Sequence, residues 1–262
     1  MPVLEPKDYL TLSISVASAV IALTSLVLTY RQRVRENTRG IREALTNTLG
    51  SLADVNLAMA RLRLEHPEST DQVVALRRSY NTQRRYLANH AEYLLQQIPT
   101  LATDVDHNLL AQAFESMQHY DKAREHWELC IEKAPAPSLR AFNLRGFGRY
   151  LFFQGNFNLG RQKFEESLRV EMPDNDSSRR LRADTLALWS ATERDFGFTE
   201  EGRRIREQAL GESKRIGHQG MREEISSYIN SFWAEQAQLV PPGSALAPST
   251  EQTPEARSPS SA

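Results

Sequence analysis

The chain has one cysteine, Cys130, in 262 residues. A single thiol excludes an internal disulfide framework and any cysteine-rich zinc module. An excess of one charge is also missing: 32 basic residues against 33 acidic leave a net charge of −1. No global field therefore selects nucleic acid or an acidic substrate. Lysine is scarce, 5 against 27 arginines, which we read as composition more than chemistry. The 6 histidines (His66, His90, His107, His119, His126 and His218) contain no HExxH pair and no other recognised ligand spacing. They are expected on surfaces or at helix caps. No βαβ pattern occurs, and nothing assembles a nucleophile, a base and an orienting partner. We therefore expect no enzyme and no catalytic, cofactor or metal site, with Cys130 a buried inert thiol.

Two near-motifs fall short. QGNFNLGRQ at 154–162 places Gly155 and Gly160 five apart, as in a phosphate-binding loop. Such a loop needs a preceding strand and a terminal Lys followed by Ser or Thr. Here GRYLFF precedes it with a helical period, and Arg161-Gln162 replace the Lys and the hydroxyl. Asp174-Asn175-Asp176-Ser177 resembles the start of a calcium loop, but Arg179 takes the place of its Gly and Thr185 that of its Glu. Asp176, Ser177 or Ser178 is expected to cap the next helix instead.

One long apolar run is present. After a short flank at 1–8, residues 9–30 read YLTLSISVASAVIALTSLVLTY, 22 residues without a charge. That is the length of a bilayer core. Ten are Leu, Ile or Val, which favour insertion by about 3 to 6 kcal/mol before the Ser and Thr cost. Tyr9 and Tyr30 bracket the run as interfacial aromatics do. Ala17-Ser18-Ala19 has the form of a signal-peptidase site, but it lies mid-run and only Lys7 precedes the run as a basic leader. An uncleaved transmembrane helix is expected. Arg31, Arg33 and Arg35, then Arg39 and Arg42, follow it against Glu36 and Glu43. The positive-inside rule then puts the C-terminal bulk in the cytoplasm and makes this a single-pass protein of the cell membrane. Thr11, Ser15 and Ala19 share a helix face on which two spans could approach closely.

Residues 31–100 carry a helical pattern with 11 basic residues against 7 acidic. Leu45, Leu52, Val55, Met59 and Leu62 fall at heptad positions. His66-Pro67-Glu68-Ser69-Thr70 interrupts the pattern. Val73, Leu76, Tyr80, Leu87, Ala91, Leu94 and Ile98 then resume it before Pro99. Two helices joined by a short polar turn predict an antiparallel hairpin, with an intermolecular coiled coil as the alternative. The paired arginines Arg77-Arg78 and Arg84-Arg85 are expected on a solvated face.

Beyond residue 100 the chain repeats itself. AFESMQHYDKAREHWELCIEKAP from 113, LFFQGNFNLGRQKFEESLRVEMP from 151 and ERDFGFTEEGRRIREQALGES from 193 share a polar break, an aromatic, a small residue and a helical run. Leu110, Ala111, Phe114, Tyr120, Ala123, Trp127, Cys130 and Pro135 carry the pattern in the first unit. The second has Leu144, Phe147, Gly148, Leu151, Gly155, Phe157, Gly160, Phe164, Ser167 and Pro173, and the third Leu186, Trp189, Ser190, Gly197, Gly202, Ala209 and Leu210. These residues resemble the tetratricopeptide repeat (TPR), a helix-turn-helix unit of about 34 residues. The repeats here lie about 37 and 42 apart, with the excess in loops. The third unit departs further, with Phe198 one place early and Arg206 at an aromatic position.

Together these readings predict an all-α fold: the N-terminal transmembrane helix read from the apolar run, the hairpin or coiled-coil stalk read from the heptad spacing, and, as the resemblance implies, a TPR-like α-solenoid at 101–238 of about three units. A last amphipathic helix carrying Met221, Ile225, Tyr228, Ile229 and Phe232 would cap the stack. Residues 239–262, with five prolines and almost no large apolar side chains, read as a disordered tail. The resemblance also implies a groove for a protein or peptide partner along the first helices, with Asn108, Gln112, Asn143, Arg145 and Arg149 as candidate contacts. The family's carboxylate clamp is not reproduced, because Gln112 and Gly146 stand where it wants Asn. The expected function is a membrane-anchored interaction or scaffold module. Two readings stay open beside it: a self-assembling structural membrane protein using span and stalk, and a periplasmic or extracellular module of inverted orientation.

Overall fold

The computed structural model describes residues 6–66 and 70–237, with side chains omitted at 6–22, 232 and 234–237. The described residues are all-α, as expected. Helices run α1 (Pro6–Glu65), α2 (Asp71–Gln97), α3 (Asp104–Ser116), α4 (Tyr120–Glu132), α5 (Pro137–Phe153), α6 (Phe157–Arg169), α7 (Asp176–Asp195), α8 (Thr199–Lys214) and α9 (Gln219–Ala237), with a 3₁₀ turn at Pro99–Leu101. The chain divides into two compact units, 1–143 and 144–262. The tail at 239–262 lies outside the described residues, as does most of the 9–30 run at the level of side chains. Among the described residues no helix is long and apolar enough to cross a membrane.

In the first unit α1 is continuous through the junction at residue 31 where a separate stalk was expected to begin. Its C-terminal half packs against α2 as an antiparallel hairpin. Leu45, Leu52, Val55, Met59 and Leu62 are buried as the heptad pattern predicts. On α2 the buried face differs: Leu76 is exposed, while Arg84, Ala88 and Leu95 are buried. Arg84 is not on a solvated face. Its Nη2 donates to the Ser116 carbonyl at 3.3 Å and to Asn81 Oδ1 at 2.6 Å, covering the C-terminus of α3. Arg77 Nη2 donates to the His66 carbonyl at 3.1 Å. Thr70 caps α2 through Val73 N, and a capping box of Thr103 and Asp106 starts α3. Asp106 also pairs with Arg42, which ties α3 to α1.

Three helix-turn-helix hairpins follow, α3/α4, α5/α6 and α7/α8, and their turns share one geometry. Gln118, Gly155 and Gly197 have φ of 62°, 73° and 89°. The next amide reaches back five residues in each: His119 N to Phe114 O, Asn156 N to Leu151 O and Phe198 N to Glu193 O, all at 2.9 Å. The positive-φ residue donates to a carbonyl three back. This pair of bonds is the Schellman motif, which satisfies the last carbonyls of the first helix. The turns lie at the same spacing as the sequence repeats.

Close helix approach in the second unit rests on small residues. A Cβ on Gly160 would stand 2.5 Å from Phe152 Cδ2 and 2.9 Å from the Gly148 carbonyl. One on Gly202 would stand 2.8 Å from the Ser190 carbonyl. Phe152, Phe164, Leu186, Trp189, Ile205 and Ile229 build the core there, with Phe164 stacked on Trp189 at 5.5 Å. Ile225 and Ile229 bury the expected α9 stripe, while Phe232 lies outside the described side chains. Arg206, which broke the aromatic pattern, lies over the Trp233 ring at 5.4 Å, and Trp233 Nε1 donates to Ser190 Oγ at 2.8 Å. Arg206 on α8 thus packs on an aromatic ring supplied by α9.

Candidate interaction surface and buried polar sites

The five residues expected to contact a partner fall into two groups. In the first unit Gln112 Nε2 donates to Asn108 Oδ1 at 2.6 Å, Asn108 Nδ2 to Asn143 Oδ1 at 3.1 Å, and Asn143 Nδ2 to the Cys130 carbonyl at 2.9 Å. Asn143 is buried, so its amide is committed to the protein interior and not to a groove. Only Gln112 of this chain of amides is exposed.

In the second unit Arg145 on α5 pairs with Asp184 on α7 at 2.5 Å. Arg149, one turn on, is exposed, with its guanidinium 5.2 Å from the centre of the Phe153 ring. Tyr228 on α9 lies within electrostatic reach of Asp184, Arg145 and Arg149. Its phenol is pushed up, first by burial and then by Asp184, with the two arginines opposing. Helices α5, α7 and α9 therefore place mixed charge and a phenol on one face of this unit.

The near-phosphate loop is resolved by Arg161. Its Nε and Nη2 donate to Glu193 Oε1 and Oε2 at 2.8 and 2.7 Å, a bidentate pair. Glu193 is fully buried and also accepts from Trp189 Nε1 at 2.8 Å. The guanidinium lies over the Phe198 ring at 4.5 Å. The hydrogen bond and charge of Glu193 hold Arg161 above the ordinary arginine range. Arg161 is thus bound to an internal carboxylate, and Gly155 serves the turn.

Histidine is where sequence reasoning missed most. His107 on α3 and His126 on α4, expected at surfaces, are both buried, with their Nδ1 atoms 2.9 Å apart. One proton lies between them, so one ring donates and the other accepts. His126 stacks on Phe114 at 5.5 Å and 6°. Burial, then His107, then Lys122 push His126 down to about 4. Burial chiefly lowers His107 as well. His107 Nε2 is buried without a hydrogen-bond partner. A zinc ion bridging both rings would spread the two nitrogens to about 3.3 Å, and no group of three ligand side chains stands together among the described residues. The two positions are 19 apart, a separation that carries no local signal; only their placement on the inner faces of α3 and α4 could have revealed them. His218 does take a cap role, with Nδ1 accepting from Met221 N at 3.2 Å. Cys130 is buried, and burial followed by Asp104 pushes its thiol up to about 12.

The 174–178 segment also differs from expectation. Asn175, not Asp176 or the serines, caps α7 by accepting from Ser178 N at 2.9 Å. The Asp176 carboxylate instead accepts from Gly217 N and His218 N, both at 2.9 Å, and so holds the loop that enters α9.

On α1, Arg31, Arg33 and Arg35 are exposed. So are Leu23, Leu26, Leu28 and Tyr30, each at 61% or more. No family model, no curated protein and no solved structure matches this chain.

Proposed function

We propose that the chain is a membrane-anchored interaction module in which TPR-like hairpins present a groove to a protein or peptide partner. The observation that carries this is the shared face of α5, α7 and α9 with Arg145, Arg149, Asp184 and Tyr228. The three equivalent Schellman turns support the repeat reading, because each pair of helices is closed by the same turn geometry. Helix-lined grooves take extended or helical peptides, and anchoring raises local concentration. The anchor itself rests on the uncharged run at 9–30 and on the exposed apolar side chains at 23–30, which water would disfavour in a free-standing helix. A cytoplasmic domain follows from the arginines after the run.

A photo-crosslinking residue at Arg149, in the native membrane, should trap a discrete adduct that the same residue at Arg204 on α8 does not. Equal adducts at both positions, or none at Arg149, would refute the groove. C-terminal reporter fusions test the orientation.

A second reading, self-assembly through the stalk, is favoured by a separate observation. Leu57 and Leu64, seven apart on α1, are 51% and 82% exposed, with Val74 and Leu76 exposed on α2. Crosslinking that yields only monomer for both the full-length and the span-deleted chain would exclude it.

A further inference from the structure

We propose that the face of α1 directly after the apolar run is a binding site for the headgroup of an anionic phospholipid. This inference rests on the membrane-anchored reading above. Arg31, Arg35, Arg39 and Arg42 recur at intervals of four, four and three, so they form one stripe on the helix. Two adjoining grooves follow that stripe. One of about 290 Å³ is lined by Tyr30, Arg31, Val34 and Arg35. The other, of about 600 Å³, continues along α1 past Arg39 and Arg42 to Asn47, with Leu101 as its far wall and Glu43 within it. Val34 and Leu101 are each 47% exposed.

The chemistry along this stripe is amphiphilic in a fixed order. Apolar side chains stand exposed up to Tyr30, guanidiniums follow, and Val34 and Leu101 give the groove its apolar walls. Arg42 is committed to Asp106, whereas Arg31, Arg35 and Arg39 have no ion-pair partner among the described residues. Three uncompensated guanidiniums at the end of an apolar helix match a phosphate whose acyl chains continue along that helix. A free phosphate would use the same guanidiniums but has no use for the apolar walls beside them.

The test uses the full-length chain reconstituted into vesicles of equal phosphatidylcholine and phosphatidylglycerol. Flotation after an alkaline wash reports the anchor. Native mass spectrometry of the extracted protein then reports which lipid is retained. We expect flotation, with phosphatidylglycerol retained over phosphatidylcholine by about tenfold. Arg35→Gln/Arg39→Gln should float equally and retain the two lipids at parity, while Arg35→Lys/Arg39→Lys should keep most of the preference. Both positions are exposed, so helicity and melting should be unchanged. Loss of flotation would overturn the anchored reading and this site with it. Flotation with parity in the wild type would overturn the site alone. A preference that survives the Gln substitutions would place the headgroup elsewhere. Displacement of the lipid by inorganic phosphate that is itself retained would make this a phosphate site and overturn the lipid assignment.

Discussion

Replacing Arg161 by Met leaves Glu193 as a fully buried carboxylate without its counter-ion. In the intact protein that carboxylate receives two guanidinium bonds and one indole N–H. Removing one partner of a buried pair destabilises by about 3 to 5 kcal/mol, most of it the cost of the stranded charge. The retained bond from Trp189 argues for the lower end. The guanidinium over Phe198 at 4.5 Å adds about 0.5 to 1 kcal/mol, of which the Met side chain recovers part by packing on the same ring. A net loss of about 3 kcal/mol is expected, or roughly 10 °C in the melting temperature for a unit of this size.

Urea unfolding followed by tryptophan fluorescence reads this, since Trp189 touches Glu193 itself. Two controls separate the stranded charge from lost packing. Arg161→Met/Glu193→Gln should recover at least half of the loss, because an amide removes the charge and keeps an acceptor for Trp189. The single variant should also regain stability as pH falls from 7 toward about 5. An unpaired buried carboxylate titrates above its unfolded value, so protonation favours the folded state. A loss below about 1 kcal/mol, or a double variant as unstable as the single one, would refute the claim that Arg161 exists to neutralise Glu193.

Gly160→Ala should destabilise the second unit by about 1 to 3 kcal/mol, since its Cβ meets Phe152 and the Gly148 carbonyl; Gly155→Ala, with open space but φ at +73°, should cost about 1 kcal/mol through backbone strain alone. Thermal melting of both variants checks the order. The first unit should lose stability on acidification from about pH 6.5 toward 4: His126 titrates lower folded than unfolded, so the unfolded chain binds the extra proton in that window. His126→Gln should flatten that slope in a pH series of denaturation midpoints. Asp176 titrates below its ordinary value because the Gly217 and His218 amides stabilise the carboxylate, so its contribution is present above about pH 4 and fades below it. Asp176→Asn should remove that acid-side dependence and raise amide exchange at Gly217 and His218.

Much of this fold was legible because packing leaves a periodic trace. The all-α class, the hairpin between α1 and α2, and the small residues Gly148, Gly160 and Gly202 all follow from spacing that any buried helix must obey. The turn between paired helices recurs even where its residues differ. Gln118 carries the same positive φ as Gly155 and Gly197, although nothing in Gln itself asks for that conformation. It is imposed from outside, by the bond from His119 N to Phe114 O and by the helix that must turn back. What stayed hidden depends on pairs far apart in the chain. Arg161 meets Glu193 across 32 residues and His107 meets His126 across 19. No period links such positions: the histidines are expected at surfaces, and Arg161 reads only as the residue that stands in place of a loop lysine. The candidate face shows both limits. Arg145 and Arg149 could be proposed from their helix positions, but Asp184 and Tyr228 enter that face only through the packing of α7 and α9 against each other. Asn143 left the candidate set for the complementary reason. Its amide donates to the Cys130 carbonyl in the interior, and a buried acceptor without a donor would cost more than a lost contact at the surface. A polar residue on a first helix therefore points to a partner only when no interior carbonyl or carboxylate claims it, a condition Arg149 meets toward other side chains except for the Phe153 ring beneath it.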